Sequence, residues 1–115
     1  MTESVYPDAR PGLGRARHDL APETDAAFLA FSRQVFADGA LTAKVKQLIA
    51  VAVAHVTQCP YCIRGHTKAA LRSGASQEEL MEAIWVAAEM RAGGAYAHSV
   101  LAIEEMQKAA ASERT

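Results

Sequence analysis

The stretch TAKVKQLIAVAVAHVTQCPYCIRGH (residues 42–66) carries an apolar run, a pair of cysteines and a histidine, in that order. The cysteines are Cys59 and Cys62, the only two in the chain, and His66 follows four residues after the second. A disulfide between cysteines at this spacing would not join distant parts of the chain. The spacing is typical of a redox pair at the start of a helix. Pro60 favours a first helical turn, where its missing N–H is no loss. We therefore predict that Cys59 lies at or near a helix N-cap, with Cys62 and His66 on one face.

The predicted position of the cysteines favours their thiolate form. The unpaired N–H groups and the positive dipole end of a helix N-terminus both stabilise a thiolate. The sequence between Asp38 and Glu78 contains no acidic residue, and nearby positive charge acts in the same direction. The basic residues of that stretch are Lys44, Lys46, Arg64, Lys68 and Arg72. A helical face that is basic by chance is the alternative. His66 is within reach of Cys62 as a proton acceptor, a proton donor or a charge partner.

Two other uses of the cysteines are alternatives to redox chemistry. Cys59, Cys62 and His66 with a water molecule would give zinc four ligands, but three protein ligands within eight residues of one helix start would be crowded. A disulfide with a purely structural role is the second alternative. Redox use is favoured over both, and we expect neither a metal nor a cofactor.

The bulk composition limits the class of protein. A chain of 115 residues with 50% hydrophobic residues predicts one domain of modest size. The net charge of -1 argues against nucleic acid as a partner, because it provides no basic excess for phosphates. We see no signal peptide and no apolar run of transmembrane length, so we expect a soluble cytoplasmic protein that does not bind membranes. In that compartment a CxxC pair is more often catalytic than structural.

Every element with a clear periodicity is helical, which predicts an all-α fold of about five to six helices. Residues 1–22, rich in proline and glycine, predict an irregular N-terminal arm, disordered or packed on a neighbouring subunit. Residues 23–115 form the predicted domain. The first three helices are predicted over residues 23–38, 43–57 and 60–73. The fourth runs from the capping box Ser76–Glu79 to Gly93-Gly94, and the fifth covers residues 95–111. We expect the two glycines to interrupt the helical pattern between the last two helices, as a kink or a break.

The second predicted helix is apolar on every face. Its run LIAVAVAHV (residues 48–56) leaves no polar stripe for solvent. A helix of this kind is buried all round. In so short a chain, we expect other subunits to provide part of that burial.

Three segments together resemble the alkyl hydroperoxidase D-like members of the carboxymuconolactone decarboxylase superfamily. They are TAKVKQLIAVA (residues 42–52), CPYCIRGH (residues 59–66) and GASQEE (residues 74–79). The resemblance covers about residues 25–107. It implies an all-α AhpD-like fold that works as a homo-oligomer, a hexamer or else a trimer.

The resemblance also implies a reaction. It implies reduction of organic hydroperoxides or peroxide with a dithiol, in which the second cysteine, here Cys62, becomes the sulfenic acid. The first, here Cys59, donates a proton and then closes the disulfide, while His66 matches the relay histidine. A dihydrolipoyl-type or thioredoxin-like protein would be the dithiol reductant.

One position departs from the family pattern. The family usually has a glutamate twelve residues before the first cysteine, and here that residue is Gln47. An amide forms hydrogen bonds but does not exchange a proton as a carboxylate does. Glu89 is the best substitute, since it lies in the apolar run WVAAEM (residues 85–90), where a charge is costly unless paired. A salt-bridged or simply exposed Glu89 is the alternative.

The leading hypothesis is therefore a thiol peroxidase that uses Cys59, Cys62, His66 and Glu89. A disulfide oxidoreductase or redox relay with little peroxidase activity uses the same cysteines and is the main alternative. The lactone decarboxylase chemistry that names the superfamily is disfavoured, because those members generally lack the CxxC pair. A non-enzymatic oligomeric protein would leave the dithiol and its histidine without a use.

Overall fold

The computed structural model describes residues 5–7 and 11–113, and the regular elements in these ranges are all helices. The helices are α1 (Pro11–Leu20), α2 (Pro22–Phe36), α3 (Ala43–Thr57), α4 (Pro60–Arg72) and α5 (Gln77–Glu113). The predicted all-α class is confirmed, and so is the predicted range of helix number. The remaining residues of the predicted arm and the last two of the chain lie outside the described ranges. No helix in the described part has the length and apolarity to cross a membrane.

The chain divides into two compact units. The first comprises Met1–Lys46 and contains α1, α2 and the first turn of α3. The second comprises Gln47–Thr115 and contains the rest of α3 with α4 and α5. Every residue predicted for the catalytic site belongs to the second unit.

The prediction of an irregular arm is wrong over Pro11–Leu20, which forms α1. Glycines at two positions argued against a helix, but Pro11 is well placed in a first turn and the arginines that follow are good helix formers. α1 packs against α2 within the first unit. His18 donates a hydrogen bond from Nδ1 to Oδ2 of Asp25 over 2.9 Å, which links the two helices. Tertiary contact therefore outweighs the low helix propensity of the glycines.

Two predicted helix starts are confirmed by their side-chain caps. Thr42 Oγ1 accepts the N–H of Val45 over 3.2 Å at the start of α3. Ser76 and Glu79 form the predicted capping box of α5: Glu79 N–H donates to Ser76 Oγ over 3.0 Å, and Ser76 N–H donates to Glu79 Oε1 over 2.8 Å. Side chains chosen for these positions thus fix where both helices begin.

A small apolar core holds the helices of the second unit together. It combines Val51 of α3, Ala70 of α4, Leu80 of α5 and Ala75 from the turn between the last two helices. The small alanines let the helix backbones approach closely. Within a single chain α3 is buried on one side only, since Ile49 and Val53 are 47% and 51% exposed. The predicted burial of α3 on all sides is therefore not reached within one chain.

The prediction of a break at Gly93-Gly94 is wrong, because α5 continues without interruption from Gln77 to Glu113. Each glycine in a helix costs about 1 kcal/mol relative to alanine. The neighbouring alanines Ala92, Ala95 and Ala97 have the highest helix propensity and offset part of this cost. Among the described glycines only Gly74 has a positive φ, so neither glycine of the pair leaves the helical region.

Alanine substitutions at two glycines should have opposite effects on stability. Gly94→Ala should raise the free energy of unfolding by about 0.5–1 kcal/mol, because Gly94 is helical and a Cβ there meets no atom within 4 Å. Gly74→Ala should lower it by about 1–2 kcal/mol, because Gly74 has a φ of +94°. Urea unfolding at one protein concentration measures both changes. Destabilisation by Gly94→Ala would mean that α5 does bend at this pair.

Many large apolar side chains are exposed in the single chain. On α2, Phe28 and Phe31 are 63% and 64% exposed, and on α5, Tyr96 and Met106 are 84% and 65% exposed. Apolar exposure on this scale is typical of surfaces that contact another protein.

Candidate functional site

The site begins at the junction between α3 and α4. Gln58 adopts a left-handed conformation with a φ of 58°, and the N–H of Cys59 donates to the carbonyl of Ala54 over 3.2 Å. This hydrogen bond spans the last turn of α3 and is the Schellman form of helix ending, which usually has glycine in the left-handed position. A non-glycine residue held there directly before a cysteine is a local strain of the kind that occurs at functional sites. The junction therefore fixes the backbone of Cys59.

Cys59 is the N-cap of α4, as predicted. Its backbone is extended, with φ -99° and ψ 104°, which is the region that a residue before proline prefers. Pro60 occupies the first helical turn, and the N–H of Cys62 donates to Sγ of Cys59 over 3.2 Å. The two cysteines are joined in a disulfide with a Cα–Cα distance of 5.2 Å, well within the range that a disulfide spans. The structure thus presents the dithiol in its oxidised form.

His66 lies one turn beyond Cys62 on the same side of α4, and both are half-buried. Its Nδ1 is 2.7 Å from Oε1 of Gln47, which lies on α3. A carbonyl oxygen only accepts, so Nδ1–H donates and a neutral His66 carries its proton on Nδ1. Nε2 is then the basic nitrogen of the ring. Gln47, at the position where a glutamate was expected, is therefore the residue that orients the imidazole.

The half-burial of the three residues suits a reactive centre. Cys59, Cys62 and His66 are each neither buried nor fully exposed in the second unit. A small substrate would have access to the sulfur atoms, while the surrounding protein partly excludes water and strengthens electrostatic interactions. Tyr61, between the cysteines, is 41% exposed.

Within the described residues, no hydrogen bond or ion pair connects Glu89 with the two cysteines or with His66. Glu89 is exposed, and its carboxylate lies beside Gly93 on the same helix, where an added Cβ would be 3.3 Å from Oε1. The burial that the apolar sequence run predicted for Glu89 is therefore wrong for one chain. Neighbouring residues of that run, such as Trp85 and Met90, are exposed as well, at 66% and 64%. The catalytic role of Glu89 stays a prediction.

Two other polar side chains have structural partners near this junction. His55 donates from Nδ1 to the carbonyl of Val51 over 2.7 Å, in its own helix, as expected of a packed histidine. Arg91 of α5 donates to the carbonyl of Val56 over 3.1 Å, at the C-terminal end of α3. No local sequence pattern indicates this second contact, because the two residues are 35 positions apart.

A metal site is not evident in the described part of the chain. Within residues 5–7 and 11–113, no group of three or more His, Cys, Asp or Glu side chains is placed to hold a metal ion. The arrangement instead combines a disulfide, an N–H donor to one of its sulfurs, and a histidine of defined orientation.

Sequence comparisons connect this arrangement to known proteins. The model of the carboxymuconolactone decarboxylase family matches residues 22–105. An uncharacterized protein from the cox locus of Paracoccus denitrificans is 62% identical over 99 residues, which cover 86% of this chain and 88% of the relative. An uncharacterized protein of Cupriavidus necator is 41% identical over 92 residues, which cover 78% of each chain.

Solved structures show the same fold. A protein of Methanobacterium thermoautotrophicum superposes with a TM-score of 0.68 at 37% identity, covering 72% of this chain and 93% of its own. A carboxymuconolactone decarboxylase family protein of Legionella pneumophila, solved in its apo form, has a TM-score of 0.63 at 33% identity, with coverages of 79% and 81%. A Thermotoga maritima member, for which a part in the antioxidative response has been suggested, has a TM-score of 0.54 at 25% identity, with coverages of 72% and 95%.

Proposed function

Since the chain belongs to the carboxymuconolactone decarboxylase family, we propose that it is a dithiol peroxidase that reduces organic hydroperoxides. The observation that carries the proposal is the disulfide between Cys59 and Cys62 at the start of α4. His66 of the same helix is held by a hydrogen bond to Gln47 of α3. The suggested antioxidative part of the Thermotoga maritima relative agrees with this activity.

The first half of the proposed reaction forms a sulfenic acid. In the reduced protein, Nε2 of His66 accepts the thiol proton of Cys62, because Nδ1–H is already donated to Gln47. The Cys62 thiolate attacks the distal peroxide oxygen, and the O–O bond breaks. The leaving alkoxide takes the thiol proton of Cys59 and departs as an alcohol.

The second half closes the disulfide. The thiolate of Cys59 attacks the sulfur of the Cys62 sulfenic acid, and hydroxide leaves with the proton held on His66 as water. Two thiols and one hydroperoxide thus give one disulfide, one alcohol and one water. The N–H of Cys62, which donates to Cys59 Sγ in the oxidised form, is positioned to stabilise the Cys59 thiolate before it attacks.

The proposed cycle requires a reductant, a cellular compartment and a subunit assembly. We propose that a protein dithiol, of the dihydrolipoyl or thioredoxin-like type, reduces the disulfide by thiol–disulfide exchange. Such dithiols stay reduced in the cytoplasm, where we place the activity. We further propose a homo-oligomer, a hexamer or else a trimer, whose subunits cover the exposed apolar side chains of α2, α3 and α5.

The test is a stoichiometric thiol assay on the wild-type protein. Reduced protein, freed of reductant, is mixed with a slight excess of cumene hydroperoxide, and free thiols and cumyl alcohol are measured against time. We expect two thiols to disappear for each alcohol formed, within seconds. A protein heated to unfolding before mixing is the control for the intrinsic reactivity of its thiols.

The amide at position 47 favours one second candidate, a disulfide oxidoreductase. If the proton relay needs a carboxylate, Gln47 makes attack on peroxide slow while leaving disulfide exchange intact. Thiols that survive cumene hydroperoxide for many minutes, yet are oxidised at once by a protein disulfide, would replace the peroxidase with this second function.

A further inference from the structure

Helix α4 carries a line of exposed basic side chains that starts at the turn holding the dithiol. We call the set Tyr61, Arg64, Lys68 and Arg72 the basic stripe; all four are exposed. At 3.6 residues per turn, these positions fall within an arc of about 80°. They occupy the side of α4 opposite the core residue Ala70. The stripe is thus a solvent-facing surface that begins beside the disulfide and extends along the length of α4.

The three cations of the stripe have no acidic partner in the described part of the chain. Over residues 5–7 and 11–113, none of them forms an ion pair or a hydrogen bond with a side chain. The sequence explains this, since no aspartate or glutamate occurs between Asp38 and Glu78. The chain as a whole has a net charge of -1, so the positive charge is a local feature of this surface. Unpaired like charges along one helix face repel each other and are destabilising.

The position of the stripe relates it to the redox chemistry. Cys62 lies about 100° around the helix from Tyr61, between the stripe and the buried side of α4. A protein that covers the stripe would therefore bring its own surface to the edge of the disulfide. Tyr61 adds an aromatic side chain of the type enriched in protein interfaces, at the end of the stripe nearest the sulfurs.

We propose that the basic stripe docks the acidic face of the protein that carries the reducing dithiol. The inference rests on the proposed dithiol function, and it assigns the nature of the partner surface. One partner thiolate attacks the Cys59–Cys62 disulfide to give a mixed disulfide, and the second partner thiol resolves it. The partner leaves oxidised, and Cys59 and Cys62 leave as thiols. Complementary charge speeds encounter by steering and fixes the orientation of the two dithiols.

The reduction step is measured by itself to test this proposal. The wild-type protein is oxidised with diamide, so that no peroxide is involved, and its rate of reduction is followed by stopped flow. The probes are dihydrolipoyl-lysine peptides of equal length, flanked on both sides by glutamate, by serine or by lysine. We expect the acidic peptide to react at least about tenfold faster than the basic one at low ionic strength. The difference should nearly vanish at about 1 M salt.

A charge-reversal variant and a matched control locate the effect. Arg64→Glu with Lys68→Glu should make the basic peptide faster than the acidic one. Arg17→Glu with Arg33→Glu makes the same change in net charge on exposed residues of α1 and α2, and it should keep the wild-type order. Dithiothreitol measures the intrinsic rate at which each disulfide is reduced, and each peptide rate is divided by it before the variants are compared. Sedimentation should show equal oligomer mass for all three proteins.

Several results would overturn the proposal. Equal rates for the three peptides would remove the electrostatic selection, and a control variant that behaves like the stripe variant would make it a net-charge effect. If the stripe variant changed only oxidation by an anionic fatty-acid hydroperoxide, the stripe would serve substrate. A change in oligomer mass would assign it to a subunit interface. Failure of the proposed peroxidase function is distinguishable from failure of this proposal. In that case the thiols would resist oxidation by peroxide, while the disulfide would still be reduced fastest by the acidic peptide.

Discussion

Cys62→Ser is expected to abolish peroxide turnover, with a loss of activity of at least about a thousandfold. Serine has nearly the shape of cysteine, but its hydroxyl is a far weaker nucleophile and forms no sulfenic acid. Cys62 shares a face of α4 with His66, whose ring contacts Gln47 and which accepts the Cys62 proton in the proposed mechanism. The measurement is steady-state reduction of cumene hydroperoxide with dithiothreitol as reductant.

Cys59→Ser is the matched control for this prediction. With no thiol added, it should consume one equivalent of peroxide and then stop, because Cys62 forms a sulfenic acid and the chain has no second thiol to resolve it. A dimedone adduct detected by mass spectrometry would identify Cys62 as its position. The opposite assignment, in which Cys59 attacks the peroxide, also has a structural basis. Cys59 is the N-cap, and its sulfur accepts an N–H hydrogen bond that favours a thiolate. A dimedone adduct on Cys59 in Cys62→Ser would therefore reverse the two roles.

Gln47→Glu should speed the oxidation of the dithiol by peroxide about tenfold or more. A positioned acid–base group contributes typically about 10²–10⁴-fold, and an amide does not exchange protons in this way. In the variant, the carboxylate would still accept Nδ1–H of His66 over the 2.7 Å contact that the amide makes now. It would also take up and release the proton that the ring carries during turnover. Single-turnover stopped flow gives the rate.

Gln47→Leu separates orientation from proton transfer. Leucine removes the acceptor for His66 while keeping a side chain of similar size, so the neutral ring should lose its fixed tautomer. Nitrogen-15 NMR of labelled histidine reports that change independently of activity. Equal rates in wild type, Gln47→Glu and Gln47→Leu would exclude position 47 from the reaction. Glu89→Gln completes the set, and a slowed reaction there would assign the carboxylate role to Glu89 in the assembled oligomer.

Local sequence signals predicted much of the fold and the centre of the site. The helix starts at Thr42, at Pro60 and at the capping box Ser76–Glu79 depend on side chains that act within one turn, so they can be read from neighbouring residues. The spacing of Cys59 and Cys62 likewise placed the first cysteine at the N-cap of α4. In each case the deciding interaction lies within three residues.

The errors have a different physical origin. The continuity of α5 through Gly93-Gly94 and the helical state of Pro11–Leu20 depend on sums of modest propensities and on packing, which override single glycines. The contact of Arg91 with Val56 arises when elements that are distant in the sequence meet, and the left-handed turn at Gln58 lacks the glycine that would mark it. The predicted burial of Glu89 is absent in the single chain for a related reason: an apolar run indicates that something covers it, but not that the same chain does.

The N-cap position of Cys59 has a thermodynamic consequence. The hydrogen bond from Cys62 N–H to Cys59 Sγ begins helix α4, and such a bond is stronger to a thiolate than to a disulfide sulfur. Where Cys59 of the reduced protein is deprotonated, the bond therefore stabilises the reduced state more than the oxidised state. Any group that does so raises the reduction potential of the couple and makes its disulfide easier to reduce. The start of a helix and the bias of the redox couple toward its dithiol form thus depend on the same backbone amide.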